Sequence, residues 1–179
     1  MEVLLPINTH VIKSHSLALR PETLENKTIG FLDGWGFRNA DGKKSMYPLM
    51  RELKNVLIKK YKNINILWVL KDNEHFPAKE DEIKKILNAD VIVNGEAIWG
   101  SCTTASVNDA AKLEKLGRPT ITIVHDSFKK SASLHAESLS LPDLPFLVEP
   151  QPKGFEIEYV ELKEFAENNL MKLETSLTS

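Results

Sequence analysis

The chain has 179 residues, 42% of them apolar and 27% charged, and a formal net charge of −2. That balance suits one globular domain with a substantial core and excludes a disordered, collagenous or coiled-coil chain. Lys and Arg are mixed evenly among Asp and Glu, so neither a nucleic acid nor an acidic membrane surface has electrostatic support as a partner. No apolar run approaches the roughly 20 residues that span a bilayer.

The opening Met1–Pro6 has neither a basic n-region nor a long apolar h-region, so no signal peptide is expected. Cys102 is the single cysteine, which rules out a disulfide within the chain and makes a cytoplasmic location the expectation. The five histidines, His10, His15, His75, His125 and His135, show no HxH or HxxxH spacing. Neither a metal nor a cofactor is therefore expected.

Residues 1–26 mix polarity, contain Pro6 and Pro21, and hold no period. They read as an N-terminal arm that packs on the domain or on a partner subunit. Residues 27–179 read as a single α/β domain. Thr28–Leu32 is a short apolar run ending at Asp33-Gly34, the pattern of a buried strand and its turn. A glycine-rich loop follows over 34–42; it matches neither GxGxxG nor a Walker A sequence, so a nucleotide has little support. A helix is expected to open at Ser45, with Pro48 in its first turn, where the missing N–H costs little. Its apolar positions run from Met46 to Tyr61 at helical spacing. Ile64–Leu70 reads as a strand, Glu80–Leu87 as a short helix, and Val91–Val93 as a strand. Thr104–Leu116 reads as a helix closed by Gly117 in a left-handed cap. Thr120–Val124 is a strand, 128–138 a helix, Phe146–Val148 a fifth strand, and Leu162 to Leu173 mark one C-terminal helix.

Strands alternating with helices predict an α/β fold: an open, doubly wound, mainly parallel sheet of the flavodoxin or Rossmann kind, with four to five strands and helices on both faces. Right-handed crossovers and the order 2-1-3-4, with the fifth strand beyond, would bring three loops together at the carboxyl ends of the strands. These loops are Asp33–Ala40, Asn94–Thr104 and His125–Phe128.

Those loops carry the candidate chemistry. Cys102 follows a strand and a small-residue turn just before a helix, whose positive N-terminal end favours a thiolate and whose free amides can hold an anion. A lone cysteine is equally at home as a small buried hydrophobe. Ser101, Thr103 and Thr104 can cap the helix or bind a ligand oxygen, with Gly100 leaving the backbone open beside them. Asp33 and Asp126 stand at strand ends, where a carboxylate acts as a base or caps its own turn; the turn role suits Asp126, and Asp33 is open. His125 is a candidate partner for Cys102 in a Cys/His pair, or a structural histidine. Glu96 shares the turn and would raise the thiol pKa if close, or take a substrate proton. Trp35, Phe37 and Trp99 lie in the rim loops and can wall a pocket for a small planar or apolar ligand, or serve only as a lid.

The ordered set of segments around that turn is familiar. Asp90-Val91-Ile92-Val93-Asn94-Gly95, then Gly100-Ser101-Cys102-Thr103, then Val107 to Thr120, Leu141-Pro142-Asp143-Leu144-Pro145, and Pro150-x-Pro152-x-Gly154 resemble the family named for its U-G-S-C motif, where U is selenocysteine or cysteine. Leu24–Asp33 resembles the family's opening strand. The family is distantly similar to the selenocysteine subunit of glycine and proline reductases, and the resemblance implies selenol-type reductive cleavage at position 99. That position here is Trp99, and an indole cannot attack or ionise. Gln151 stands where the family tends to carry a histidine between two prolines. The resemblance therefore implies a small-molecule-processing enzyme with a changed reaction, Cys102 as its thiol, and Trp99 and Gln151 against the substrate. The alternative is a non-catalytic binding or accessory subunit of a larger enzyme complex. A homo-oligomer or a partner subunit is compatible with either reading.

Overall fold

The computed structural model describes residues 14–34, 37–38, 44–97, 99–150 and 159–179. Five strands form the main sheet: β1 (Thr28–Asp33), β2 (Asn65–Leu70), β3 (Val91–Ala97), β4 (Thr120–His125) and β5 (Phe146–Glu149). All neighbours pair in parallel in the order β2-β1-β3-β4-β5, with Ile29 opposite both Ile66 and Val91, Ile92 opposite Thr120, and Thr122 opposite Phe146. This is the doubly wound arrangement expected from the alternation of elements, and Phe146–Glu149 is the fifth strand.

The helices are α1 (Pro48–Lys60), α2 (Glu80–Ile86), α3 (Gly100–Lys115), α4 (Lys129–Ser138), α5 (Tyr159–Asn168) and α6 (Leu170–Leu177). Alternate residues along each strand feed two cores, as the pleat requires. Ile29, Phe31, Val91, Val93, Ile121 and Ile123 pack with α1, α5 and α6 on one face. Leu32 and Ile92 pack with α2 and Leu113 of α3 on the other, where Val124 meets α3 and α4. The central strands β3 and β4 are buried at every residue, the polar Asn94, Glu96, Thr120, Thr122 and His125 included. At Gly30 the strand comes so close to α2 that an added methyl would stand 2.7 Å from Ile86 Cδ1, and as near to Ala89 Cβ just beyond the helix.

Several boundaries differ from the expectation. The helix expected at Ser45 begins at Pro48, because Lys44–Ser45 instead pairs antiparallel with Phe37–Arg38 in a small hairpin. The strand expected over Val91–Val93 continues to Ala97. The helix expected from Thr104 begins four residues earlier, at Gly100, so Cys102 lies inside its first turn rather than ahead of it. The single C-terminal helix is two, divided at Asn169, whose amide side chain donates to the Phe165 carbonyl at 2.9 Å. Gly117 does close α3 with φ of 78°, and the Arg118 N–H returns to the Leu113 carbonyl at 2.9 Å.

Residues 14–26 of the arm hold no strand or helix but are tied down along their length. The His15 N–H donates to the Ser140 carbonyl, and Leu24 is fully buried. The Ala18 N–H and both ends of the Arg20 guanidinium converge on Glu114 of α3, at 2.7 to 3.0 Å. The Thr120 N–H at the start of β4 reaches the same buried carboxylate at 2.7 Å. One glutamate thus joins the arm, a helix and the sheet.

Candidate functional site

The carboxyl ends of the strands gather two groups of side chains. The first surrounds Cys102. The Trp99 residue is the N-cap of α3, and the Thr103 N–H makes the first helical bond to its carbonyl at 2.8 Å. The amides of Gly100, Ser101 and Cys102 therefore have no partner further back in the helix. Among the described residues no side chain caps this end. The capping expected of Ser101, Thr103 or Thr104 does not occur, because the helix starts before them. The Thr103 hydroxyl turns back to the Trp99 carbonyl at 2.7 Å and that of Thr104 to the Gly100 carbonyl at 3.2 Å.

The histidine beside Cys102 is His75, not His125. His75 Nδ1 lies 3.4 Å from the Cys102 sulfur and 3.0 Å from Ser101 Oγ, while its Nε2 lies 3.3 Å from Glu74 Oε1. One tautomer serves all three contacts: Nδ1 accepts from the hydroxyl and thiol, and Nε2–H donates to the carboxylate. His75 sits in the loop between β2 and α2, and α3 holds that loop in place. Asp109, seven residues or about two turns beyond Cys102, takes Lys71 Nζ at 2.6 Å and the Ala78 N–H at 2.7 Å. Lys71 and Asp109 are both buried.

The Cys102 side chain is buried, and burial pushes its pKa above the ordinary thiol value, with Glu74 adding to the rise. Ser101 and the amides of Trp99 and Cys102 work the other way but do not win. The depressed pKa expected from the helix N-terminus is thus corrected: desolvation outweighs the partial charge of the amides. The carboxylate expected to act on the thiol, Glu96, is replaced in that role by Glu74.

The second group sits on the strand ends themselves. Gly95 has φ of 151°, and a methyl there would meet Ile123 Cβ at 3.2 Å, so only glycine suits this point of β3. The register with β4 shifts between Asn94 and Ala97. Glu96, just beyond, turns into the protein and accepts from His125 Nε2 at 2.9 Å. Glu149 at the end of β5 has Oε2 at 3.4 Å from the same nitrogen. Burial, then Glu149, push the Glu96 pKa well above the usual carboxylate range. Asp33, at the end of β1, is fully buried and accepts from the Tyr47 N–H at 2.9 Å and Trp68 Nε1 at 3.0 Å. The Gly34 N–H reaches the Gly95 carbonyl at 2.6 Å, so the first and second rim loops meet as expected. Asp126 binds the Ser127 N–H at 2.6 Å, the turn role expected of it.

Trp99 is 44% exposed beside the Cys102 turn, open enough to meet a ligand. An added methyl at Gly100 would touch nothing within 4 Å. Trp35 and Gln151 lie outside the described residues, as does the side chain of Phe37. A shallow cleft of about 330 Å³ runs beside the His75 loop, lined by Asp72, Asn73, Phe76, Pro77, Lys79 and Glu82, and contains neither Cys102 nor His125. Sequence reasoning missed Glu74, His75 and Glu149. No local spacing could reveal them, since Glu74 and His75 lie more than 25 residues before Cys102 and Glu149 more than 20 beyond His125.

The fold and this site define an α/β protein of the flavodoxin-like, doubly wound class with a cysteine in the first turn of the helix after its third strand. The UGSC family matches residues 2–179, and the chain belongs to that family. Among solved structures it is similar to a variant of a flavo di-iron protein from Thermotoga maritima, with 13% identity and a TM-score of 0.44. That alignment covers 86% of this chain, which spans 36% of the other. None of the curated proteins matches. No helix among the described residues is long and apolar enough to cross a membrane.

Proposed function

We propose that the protein is a thiol-dependent enzyme acting on a small carbonyl or amino-acid-derived substrate. In this reading Cys102 is the nucleophile, His75 its base and Glu74 the group that orients the base. The observation that carries the reading is the chain of contacts from the Cys102 sulfur through His75 to Glu74. A nucleophile, a base within reach of it, and a third group fixing the base's tautomer make up the usual constellation of covalent catalysis.

In the resting state the raised thiol pKa keeps the proton on sulfur. As the sulfur bonds to the substrate carbon, the proton passes to His75 Nδ1 and the carbonyl electrons move onto oxygen. The Gly100 and Ser101 amides, which make no helical bond, can receive that oxyanion. His75 then returns the proton to the leaving group. Trp99 walls the substrate in the place where the family's selenol would have reacted. Of the residues that the sequence offered as catalytic, Asp33 accepts from Tyr47 and Trp68 and His125 meets Glu96 and Glu149, so both belong to the strand-end group.

The test is labelling by a small electrophile, iodoacetamide, with mass spectrometry at Cys102. At pH 7.5 the native protein should be modified, and His75→Ala should slow modification by about a hundredfold or more, the lower end of the 10²–10⁴-fold that a general base commonly supplies. Labelling that needs denaturant, or that ignores residue 75, would make Cys102 a packing residue and favour an accessory, non-catalytic subunit.

A further inference from the structure

Glu96, next to the last residue of β3, and His125 and Glu149, the last residues of β4 and β5, face one another inside the protein. Each offers a ligating atom, and these atoms lie within 4.8 Å of one another. The residues are 1%, 5% and 3% exposed. Two of their oxygens, Glu96 Oε2 and Glu149 Oε2, are buried and accept no hydrogen bond of good geometry. Among the described residues, the salt-bridge partner of both glutamates is His125, and no lysine or arginine reaches either. Two buried carboxylates that face each other with unfilled lone pairs need a cation or a shared proton.

We propose that these three side chains form a binding site for one divalent first-row metal ion of the zinc, iron or manganese class. One imidazole nitrogen with two carboxylate oxygens suits such borderline cations better than copper(I), which seeks sulfur, or calcium, which seeks six or more oxygens. The spacing agrees. A tetrahedron with metal–ligand bonds of about 2.1 Å has edges of about 3.4 Å, and His125 Nε2 stands 2.9 Å and 3.4 Å from the two carboxylate oxygens. Three protein ligands leave a position for water or another ligand. The Tyr47 hydroxyl bonds to Glu96, so it can orient that carboxylate. The site is separate from the Cys102–His75–Glu74 contacts and does not depend on the thiol reading.

The test uses the full chain, stripped with a chelator and titrated with Zn²⁺ by calorimetry, then with Co²⁺ by visible absorption. One Zn²⁺ per chain is expected. His125→Gln and Glu149→Gln should each weaken binding by at least about tenfold, while Cys102→Ala and His75→Ala bind as the unaltered protein does. The Co²⁺ form should show d–d bands without a sulfur-to-metal charge-transfer band, a readout that needs no variant to fold. Absence of stoichiometric binding, affinity unchanged in His125→Gln and Glu149→Gln, or a thiolate charge-transfer band would each overturn the proposal. So would a Glu149→Gln protein that gains thermal stability while the unaltered chain binds no zinc, since that is the mark of a shared proton.

Discussion

Asp109→Ala tests how the fold delivers His75 to Cys102. The Asp109 carboxylate is one of α3's few buried charges and holds Lys71 Nζ at 2.6 Å and the Ala78 N–H at 2.7 Å. Removing it leaves an ammonium that is 2% exposed with no acid beside it, and an amide with no acceptor. Breaking one side of a buried pair costs about 3–5 kcal/mol. For a chain of this size each kcal/mol lowers Tm by about 2–4 °C, so the loss should be about 6–20 °C. Burial raises the Asp109 pKa in spite of Lys71, so the ionised carboxylate is itself held against a desolvation cost. The double change Asp109→Leu with Lys71→Met should therefore recover most of the stability.

The functional consequence is separate from stability. Lys71 and Ala78 bracket the loop that carries His75, so Asp109→Ala should release the imidazole from the sulfur. Cys102 labelling in folded Asp109→Ala should then be as slow as in His75→Ala. Urea unfolding followed by circular dichroism gives the first quantity, and iodoacetamide labelling below the transition gives the second. An Asp109→Ala protein within about 1 kcal/mol of the unaltered chain would refute the buried-pair reasoning, because exposed pairs contribute no more than that. Undiminished labelling in that variant would refute the anchoring of His75.

Glu114→Ala should cost about 3–5 kcal/mol in urea unfolding, because Arg20 loses its buried partner and the Ala18 and Thr120 amides lose their acceptor. The same variant should be cut after Glu22 by a glutamate-specific endoprotease under conditions that leave the unaltered chain intact; resistance there would mean that Glu114 does not hold the arm. Tyr61 bonds Glu174 of α6 at 2.7 Å, and burial together with that carboxylate pushes its pKa up to about 12, from 10.0. Its contribution to stability is full below pH 10 and is lost as the pH rises through the folded value. Thermal unfolding between pH 9 and about 11.5 should therefore fall less steeply in Tyr61→Phe, and identical slopes would refute the assignment.

Much of the architecture is legible in the chain because it is local. The runs 28–32, 91–93 and 120–124, rich in β-branched and apolar residues, are the centre of the sheet, and helical spacing from Leu49 to Leu57 is the face that α1 turns to it. Gly117 marks the end of α3 because its left-handed conformation is a one-residue property. Boundaries were less legible where tertiary pairing competed with them. Lys44–Ser45 joins a hairpin instead of α1, and α3 begins at Gly100, where the Thr103 N–H closes the first turn on the Trp99 carbonyl in spite of the low helix propensity of residues 100–103.

The sequence by itself determined the strand–helix alternation, the position of the Cys102 turn at a strand's carboxyl end, and family membership through its ordered motifs. Only the tertiary structure decided which side chains meet there. His75 rather than His125 reaches the thiol because the loop carrying His75 is fastened to α3 through Asp109, an attachment made between residues 31 and 38 positions apart. His125 turns instead to Glu96 and Glu149 because β3, β4 and β5 lie side by side and end at the same level. Local periodicity records which face of an element is buried; it does not record which neighbour that face meets, and the chemistry of this site depends on the neighbours.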